Sequence, residues 1–180
     1  MTVATSSLPQ TEAVLGQCRA WYGAFGRAVY RFVRFHVDSA DTADDITADV
    51  FLRVLEGGSA YDPERGEARA WIFSIARNAL RDHFRRLRVR RQVNVSALRD
   101  IAADAPSAEE RLLRQEEVGR LLQTVQRLRP ADRDLLALRY GSELTVPQIG
   151  EVLGLRENAV RTRLCRAVSR LRAELIEAED

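Results

Sequence analysis

Arginine side chains are concentrated in one stretch near the end of the chain, between Arg156 and Arg172, which also contains Asn158. This stretch contains six Arg and one Glu, which gives it a net charge of +5. Arginine pairs bidentately with guanine or with phosphate, and asparagine pairs with adenine. The polar positions that share one face of a helix here are Asn158, Arg161, Thr162, Cys165, Arg166 and Ser169. We predict a DNA-binding helix, with a solvated basic helix as the alternative.

The residues before this helix have the features of a helix-turn-helix. Thr145 and Gln148 form a T-x-x-Q capping box, and Pro147 falls in the first turn, where its missing N–H costs nothing. Gly154 permits a sharp turn before a second helix that begins near Arg156. The apolar stripe of that second helix consists of Val160, Leu164, Ala167, Val168 and Leu171. In this motif the N-terminal part of the second helix enters the major groove of duplex DNA.

A second arginine-rich stretch occupies the end of a long predicted helix that begins near Glu67. The first half of this helix is apolar on most sides, which is typical of a central helix in a small bundle. Arg77, Arg81, Arg85 and Arg88 are spaced to form one continuous stripe on this helix. Between Arg81 and Arg91 there are six Arg and one Asp, again a net charge of +5. Like charges at helical spacing repel each other, so contact with nucleic acid explains this stripe better than exposure to solvent does.

The remaining elements are also predicted to be helical. A first helix extends from about Thr11 to His36, and Asp41 is expected to cap a second helix that ends at Gly57 and Gly58. A capping box at Ser107 begins a fourth helix, and a short helix precedes the helix-turn-helix. The sequence therefore predicts an all-α protein, with two small helical domains joined by a flexible linker and a helix-turn-helix in the C-terminal domain.

Charge and periodicity divide the chain into segments. We expect a disordered tail at 1–10, a first domain at 11–92, a linker at 93–106 where periodicity fades, and a second domain at 107–180. Between Asp100 and Glu117 there are six acidic residues and two Arg, a net charge of −4. The order basic, acidic, basic predicts two DNA-contacting modules joined by a segment that avoids DNA.

Composition excludes several classes of protein. All 28 basic residues are Arg, the net charge is only +2, and 46% hydrophobic residues are enough for a globular core. Cys18 and Cys165 make neither a metal site nor a persuasive disulfide, which fits a reducing compartment. No apolar run approaches the ~20 residues that span a bilayer, and the N-terminus lacks the pattern of a secretory signal. We therefore expect a cytoplasmic protein without membrane insertion.

The sequence shows no sign of an enzyme. His36 and His83 are isolated in the sequence, and no Gly-rich phosphate loop follows a strand. We expect no catalytic site, no cofactor, no metal and no small-molecule substrate.

Three stretches, in this order, resemble the extracytoplasmic-function sigma factors of bacterial RNA polymerase, which are small two-domain members of the sigma-70 family. Residues 43–54 resemble the polymerase-binding helix, residues 70–82 the promoter-melting and minus-ten-reading helix, and residues 144–172 the minus-35-reading motif. The resemblance covers nearly the whole chain after the N-terminal tail. It implies a sigma factor that binds core RNA polymerase and directs promoter-specific transcription initiation.

The resemblance also implies roles for individual residues. The second helix would bind core polymerase through Asp45, Asp49 and Arg53. The candidates for holding melted minus-ten DNA are Tyr61, Asn78, Arg81, Asp82 and Arg85. The candidates for reading the minus-35 duplex are Asn158, Arg161, Thr162, Arg163 and Arg166. Proteins hold single-stranded DNA in basic grooves and by stacking its bases on aromatic rings. Trp71 falls on the apolar half of its helix, so we expect it to pack in the core and not to stack on a base.

The chain departs from the family pattern at several positions. Ala48 stands where the family commonly has Gln, and Ala159 stands where Thr is usual. Arg156 replaces a common Ser, so the recognition helix lacks its expected N-cap. Asn158 is able to cap instead, which would start the helix two residues later and remove Asn158 from base readout.

Two alternative functions predict charged surfaces different from those of a sigma factor. A stand-alone helix-turn-helix transcriptional regulator needs no second arginine stripe behind an apolar helix. A protein-binding adaptor predicts neutral surfaces, whereas this chain has two strongly basic ones. The family resemblance further implies an anti-sigma partner, and because no sensory domain follows the helix-turn-helix before Asp180, we expect control by a separate protein.

Overall fold

The computed structural model describes residues 8–93 and 109–177, and every regular element within these ranges is helical. The N-terminal module consists of α1 (Leu8–Arg34), α2 (Ala40–Gly57) and α3 (Ala68–Val93), with 3-10 turns at Gly58–Ala60 and Pro63–Arg65. The C-terminal module consists of α4 (Glu109–Arg127), α5 (Pro130–Leu136), a π-helical segment (Ala137–Gly141), α6 (Val146–Leu153) and α7 (Glu157–Glu177). The prediction of an all-α fold is confirmed.

Some predicted boundaries lie outside the described residues. The predicted linker at 93–106 lies outside them except for Val93, which ends α3. The predicted cap at Ser107 also lies outside them. At the N-terminus α1 begins at Leu8, within the stretch predicted to be a disordered tail.

The first half of α3 is the centre of the N-terminal module, as its apolar sequence predicts. Ile72, Phe73 and Ala76 are completely buried there. The ring of Phe73 meets the ring of Phe32 on α1 edge to face, with centroids 5.7 Å apart. Each large side chain buried in this way contributes about 1.5–3 kcal/mol, and the rigid helix that results continues into the basic half of α3.

Ser39, and not Asp41, caps α2. The Ser39 hydroxyl oxygen accepts a hydrogen bond from the Thr42 backbone N–H at 3.3 Å, and Asp41 lies in the first turn. The predicted cap is therefore wrong by two residues. Ser and Asp cap helices about equally well, and both precede the same apolar stripe, so local sequence does not separate them. In the first turn the negative charge of Asp41 still interacts favourably with the helix dipole.

The helix-turn-helix formed by α6 and α7 has the predicted cap and turn. Gln148 Oε1 accepts from the Thr145 backbone N–H at 2.9 Å, and the Thr145 hydroxyl accepts from the Gln148 N–H at 3.5 Å. Gly154 has a φ of 66°, in the left-handed region that closes a helix end. The recognition helix is thus fixed at a defined angle to α6.

The two modules pack against each other in what we call the closed arrangement. Leu135, Leu138 and Leu144 of the C-terminal module belong to the same buried apolar cluster as the core of α1 and α3. The buried hydroxyl of Ser142 lies 3.3 Å from the Ala28 carbonyl oxygen of α1, within hydrogen-bonding distance. The Arg69 guanidinium of α3 donates to the Ser142 carbonyl oxygen. The interface therefore combines apolar burial with satisfied backbone groups.

The left-handed glycine of the helix-turn-helix gives a stability prediction. Gly154→Val should lower the free energy of unfolding by about 1–2 kcal/mol, because a β-branched residue is strained at positive φ. Gly154→Asn should cost much less, since Asn tolerates this conformation. Urea denaturation followed by circular dichroism measures both variants. Equal stabilities for the Val and Asn variants would contradict the assigned turn conformation.

Candidate nucleic-acid interface

The exposed face of α7 carries the predicted minus-35 residues. Helix α7 is anchored by Val160 and Ala167, which are completely buried. The carbonyl oxygen of Arg156 accepts from the N–H groups of Ala159 and Val160 at 2.9 and 3.1 Å, so Asn158 lies inside the first turn and is not the cap. The residues that share the exposed surface are Asn158, Arg161, Thr162, Arg163, Cys165, Arg166 and Ser169.

Some of these polar groups are already engaged within the helix. Arg161 pairs with Glu157 at 3.1 Å, and both side chains are exposed. The Thr162 hydroxyl donates to the Asn158 carbonyl oxygen at 2.9 Å, which leaves its oxygen able to accept. An exposed ion pair one turn apart contributes only a few tenths of a kcal/mol, so Arg161 is readily released to a base or a phosphate.

Arg163 and Arg166 lie on the side of α7 that faces the N-terminal module. Together with Arg77 of α3 and Arg129 and Arg170, they line a cavity of about 280 Å³ between α3, α5 and α7. Asp132 and Asp134 also line this cavity, and Arg170 pairs with Asp132 at 2.6 Å. Five guanidinium groups against two carboxylates leave this cleft positively charged.

The second half of α3 presents the predicted minus-ten residues. Asn78, Arg81 and Arg85 are exposed, and Asp82 is half-buried. Arg77, which the spacing predicts to be part of the same stripe, is instead half-buried and donates to Asp134 at 2.8 Å. The basic stripe of α3 therefore begins one turn later than its spacing predicts.

A chain of ion pairs joins the predicted polymerase-binding and minus-ten residues. Arg53 of α2 lies 2.9 Å from Asp49 and 2.9 Å from Asp82 of α3, and Asp82 lies 3.0 Å from Arg85. The hydrogen bond from Arg53 lowers the pKa of Asp82, and the hydrogen bond to Asp82 raises the pKa of Arg53. The sequence assigns these residues to two surfaces, and the structure places them in one network between α2 and α3.

Tyr61 is packed among aromatic rings in the loop before α3. Its ring lies 5.1 Å from Trp21 and 5.2 Å from Trp71 between centroids, and its hydroxyl donates to the Gly66 carbonyl oxygen at 3.1 Å. The predicted packing role of Trp71 is confirmed by these contacts. Tyr61 is half-buried, so any stacking on a base has to use the part of its ring that remains exposed.

The exposed side of α2 carries an apolar residue that the sequence analysis missed. Asp45 and Ala48 are exposed, and Leu52 on the same face is 59% exposed. Leu52 lies off the buried stripe of Ile46, Val50 and Val54, so helical periodicity was sufficient to find it. The exposed face of α2 therefore combines a carboxylate with an apolar side chain.

His36 is not isolated, which corrects the sequence-based prediction. The ring is buried, with Nδ1 2.9 Å from the Phe32 carbonyl oxygen and Nε2 2.9 Å from Asp134 Oδ1. Asp134 lies 98 residues further along the chain. No local pattern indicates such a contact, because it exists only when the two modules are packed together.

Other kinds of site are not found among the described residues. No group of His, Cys, Asp and Glu within 8–93 and 109–177 has the arrangement of a metal site. Cys18 is half-buried, and burial raises the pKa of its thiol. Within the same ranges no helix combines the length and the apolar character that a membrane span requires.

Comparison with known families places both modules. Residues 21–90 match the model of Sigma-70 region 2, and residues 119–171 match the model of Sigma-70, region 4. The first match covers α2 and nearly all of α3, and the second covers α6 and most of α7.

Curated relatives are sigma factors. The chain is 32% identical over 150 residues to the ECF RNA polymerase sigma factor BldN of Streptomyces coelicolor, covering 83% of this chain and 57% of BldN. It is 32% identical over 143 residues to the RNA polymerase sigma factor CnrH of Cupriavidus metallidurans, covering 76% of this chain and 74% of CnrH. The chain thus spans little more than half of BldN but about three quarters of CnrH.

Solved structures with the same fold lead to the same family. CnrH in complex with the cytosolic domain of CnrY has a TM-score of 0.64 at 26% identity, covering 92% of this chain and 88% of that one. RpoE in complex with the anti-sigma factor NepR from Bartonella quintana has a TM-score of 0.72 at 18% identity, covering 87% and 95%, and shows the fold alone. The chain belongs to the sigma-70 family, and within it to the extracytoplasmic-function sigma factors.

Proposed function

We propose that this sigma factor divides promoter recognition between its two modules. Helix α7 reads the minus-35 duplex, and the basic half of α3 with its preceding loop holds the melted minus-ten strand. The observation that carries this proposal is the presence of two exposed basic surfaces on two different helices. One is centred on Arg161 and Arg166, and the other on Arg81 and Arg85.

Opening of the promoter relies on binding energy and not on bond chemistry. Taking a base out of the duplex costs a few kcal/mol. Contacts that α3 makes only with an unstacked strand offset this cost and shift the population towards the open duplex. On this proposal the protein is not an enzyme, since its side chains bind and position DNA without reacting with it.

We assign binding of core RNA polymerase to the exposed face of α2. Asp45, Asp49 and the exposed Leu52 share this face, and Arg53 orients Asp49 through their ion pair. A partner surface that supplies basic side chains and an apolar contact would complement it. Because polymerase and promoter DNA are in the cytoplasm of bacteria, we place the protein there.

A separate protein is proposed to control this sigma factor. CnrH, a relative of this chain, was solved with the cytosolic domain of CnrY, and RpoE, which has the same fold, was solved with an anti-sigma factor. Two basic surfaces in one closed arrangement would suit an acidic partner that covers both. We therefore include an anti-sigma factor among the partners, beside core polymerase and promoter DNA.

Charge reversal on α7 and on α2 should separate DNA reading from polymerase binding. Arg161→Glu with Arg163→Glu should reduce affinity for a minus-35 duplex by at least about tenfold, because each base-pairing Arg contributes about 1–3 kcal/mol. Core-polymerase binding should be unchanged. Asp45→Arg with Asp49→Arg should weaken core binding and leave duplex binding intact. Fluorescence anisotropy with labelled core and labelled duplex measures both affinities.

A matched control is Arg19→Glu with Arg27→Glu, which reverses two exposed arginines on α1. This variant should retain both affinities. Loss of core binding in the α7 variant, or unaltered core binding in the α2 variant, would contradict the division of labour. Duplex binding without any core binding by the wild-type chain would favour the stand-alone regulator.

The carboxylate of Asp82 should limit the affinity of α3 for single strands. Asp82→Asn removes a negative charge between Arg53 and Arg85, so nonspecific binding to single-stranded DNA should tighten. One additional phosphate contact should steepen the dependence of log K on log salt by about 0.7. Titration of an oligonucleotide at several salt concentrations measures this slope.

The control for this variant is Asp44→Asn, an exposed carboxylate on α2, which should leave the slope unchanged. Weaker binding by the Asp82 variant would mean that Asp82 itself contacts the strand and does not act through its arginine neighbours.

A further inference from the structure

A groove between the two modules lies along the basic half of α3. It has a volume of about 760 Å³, and its lining comes chiefly from α3 and α5. Pockets that bind small molecules have volumes of about 300–1,000 Å³, so this groove has the size of a ligand site. It adjoins the 280 Å³ cavity between α3, α5 and α7, and Arg77 and Asp134 line both.

Guanidinium groups outnumber carboxylates in this groove by five to one. The carboxylate is Asp134, which is held by His36 at 2.9 Å and by Arg77 at 2.8 Å. The other arginines of the groove form no ion pair with it among the described residues. These arginines are Arg81, Arg85, Arg88 and Arg133. The groove therefore carries an excess of positive charge that favours an anion.

The three arginines of α3 are free to take up such an anion. Arg81 and Arg88 are exposed, and within residues 8–93 and 109–177 no ion pair involves either of them. Arg85 is exposed and pairs with Asp82 at 3.0 Å. An exposed pair of this kind contributes little in water, so Arg85 can exchange Asp82 for a ligand at small cost.

Arg133 of α5 is a half-buried guanidinium on the other side of the groove. It donates to the Leu128 carbonyl oxygen at 3.1 Å, but its Nε is buried and has no hydrogen-bond partner in the described part of the chain. Desolvation by burial lowers the pKa of Arg133 and outweighs its attraction to Asp134 and Asp38. An anion in the groove would offset this uncompensated charge.

Apolar side chains share the groove with these arginines. Leu80 and Leu87 of α3 and Pro130 and Ala131 of α5 line it together with Phe84, which is 36% exposed. An inorganic anion alone has no use for such a surface. An exposed aromatic ring beside guanidinium groups is the combination with which proteins hold a nucleic-acid base and its phosphates.

We propose that this groove binds a nucleoside polyphosphate, with its phosphates on Arg81, Arg85, Arg88 and Arg133 and its base against Phe84. Planar guanidinium groups match the oxygen atoms of phosphate in pairs. An acidic peptide would supply charge but no flat heterocycle for Phe84. Because the arginines come from α3 and α5, one bound nucleotide contacts both modules and stabilises the closed arrangement.

The site has a consequence for DNA binding, which rests on the proposed function. That function assigns Arg81 and Arg85 to the melted minus-ten strand. A nucleotide whose phosphates occupy the same two side chains excludes the strand from them. Nucleotide binding would therefore lower the affinity of the free sigma factor for single-stranded DNA.

Calorimetric titration of the full chain at an ionic strength of about 0.15 M tests the site directly, because diffuse attraction between exposed charges is screened there. The probes are ATP, inorganic tripolyphosphate and adenosine. We expect one ATP per chain, bound at least about tenfold more tightly than either of the other two. A Kd for ATP above about 1 mM would overturn the proposal. Equally tight binding of tripolyphosphate, or of a glutamate peptide matched to ATP in charge, would do the same.

Variants of α3 separate the groove from general positive charge. Arg88→Gln should weaken ATP binding by about tenfold, the effect of losing one charge-assisted contact. Arg86→Gln is the matched control, since Arg86 is exposed on the same helix and does not line the groove. It should retain the affinity for ATP. Equal losses in the two variants would overturn the site.

Two further variants test the base contact and the contribution of α5. Phe84→Ala should weaken ATP by about tenfold and leave tripolyphosphate unchanged, because stacking is lost and the phosphate contacts remain. Arg133→Gln should weaken both ligands, with circular dichroism showing that the helices are retained. Unchanged ATP affinity in the Phe84 variant would overturn the placement of the base. Unchanged affinity in the Arg133 variant would overturn a site shared by the two modules.

Competition with DNA distinguishes this proposal from the proposed function. ATP should displace a labelled single-stranded minus-ten oligonucleotide from the full chain, as measured by fluorescence anisotropy. Binding of ATP without displacement would keep the nucleotide site and count against the assignment of Arg81 and Arg85 to the strand. Absence of ATP binding would overturn the nucleotide site whatever the outcome for promoter recognition.

Discussion

The contact of Asp134 with His36 and Arg77 is the interaction on which the closed arrangement depends. A carboxylate that is only 15% exposed needs partners, because removing one partner from a buried pair costs about 3–5 kcal/mol. Here both partners come from the opposite module. The leucines of the C-terminal module that enter the core of α1 and α3 stabilise the interface by apolar burial, which has no directional preference. The charged cluster supplies the register in which they meet.

Helix α3 links the core of the protein to its proposed activity. Its first half is buried on most sides and fixes the helix, and its second half extends basic side chains from that fixed base. Arg77 lies between the apolar half and the basic half of α3, and in the closed arrangement it pairs with Asp134 of the C-terminal module. The network from Asp49 through Arg53 to Asp82 ties the same helix to α2. Binding of polymerase on α2 and of DNA on α3 would therefore act on one rigid unit.

Much of the fold follows from local sequence signals, because helices are specified by periodicity and caps. The stripe of Val160 and Ala167 and the capping box at Thr145 are local patterns, and the structure has both. The pair of Asp49 and Arg53 is one helical turn apart and is also readable from sequence. By contrast, Arg53 with Asp82 and His36 with Asp134 are separated by 29 and 98 residues. These contacts arise from packing, so an isolated histidine and a regular arginine stripe were misleading in the sequence.

The most direct test of the central claim is a map of transcription start sites. The purified chain and core RNA polymerase are mixed with a GC-rich bacterial genomic library, with core alone as the reference. Recognition of two promoter elements by two modules predicts new start sites that share one upstream motif near minus-ten and another near minus-35. A chain that binds this DNA but adds no start sites to those of core alone would contradict the claim.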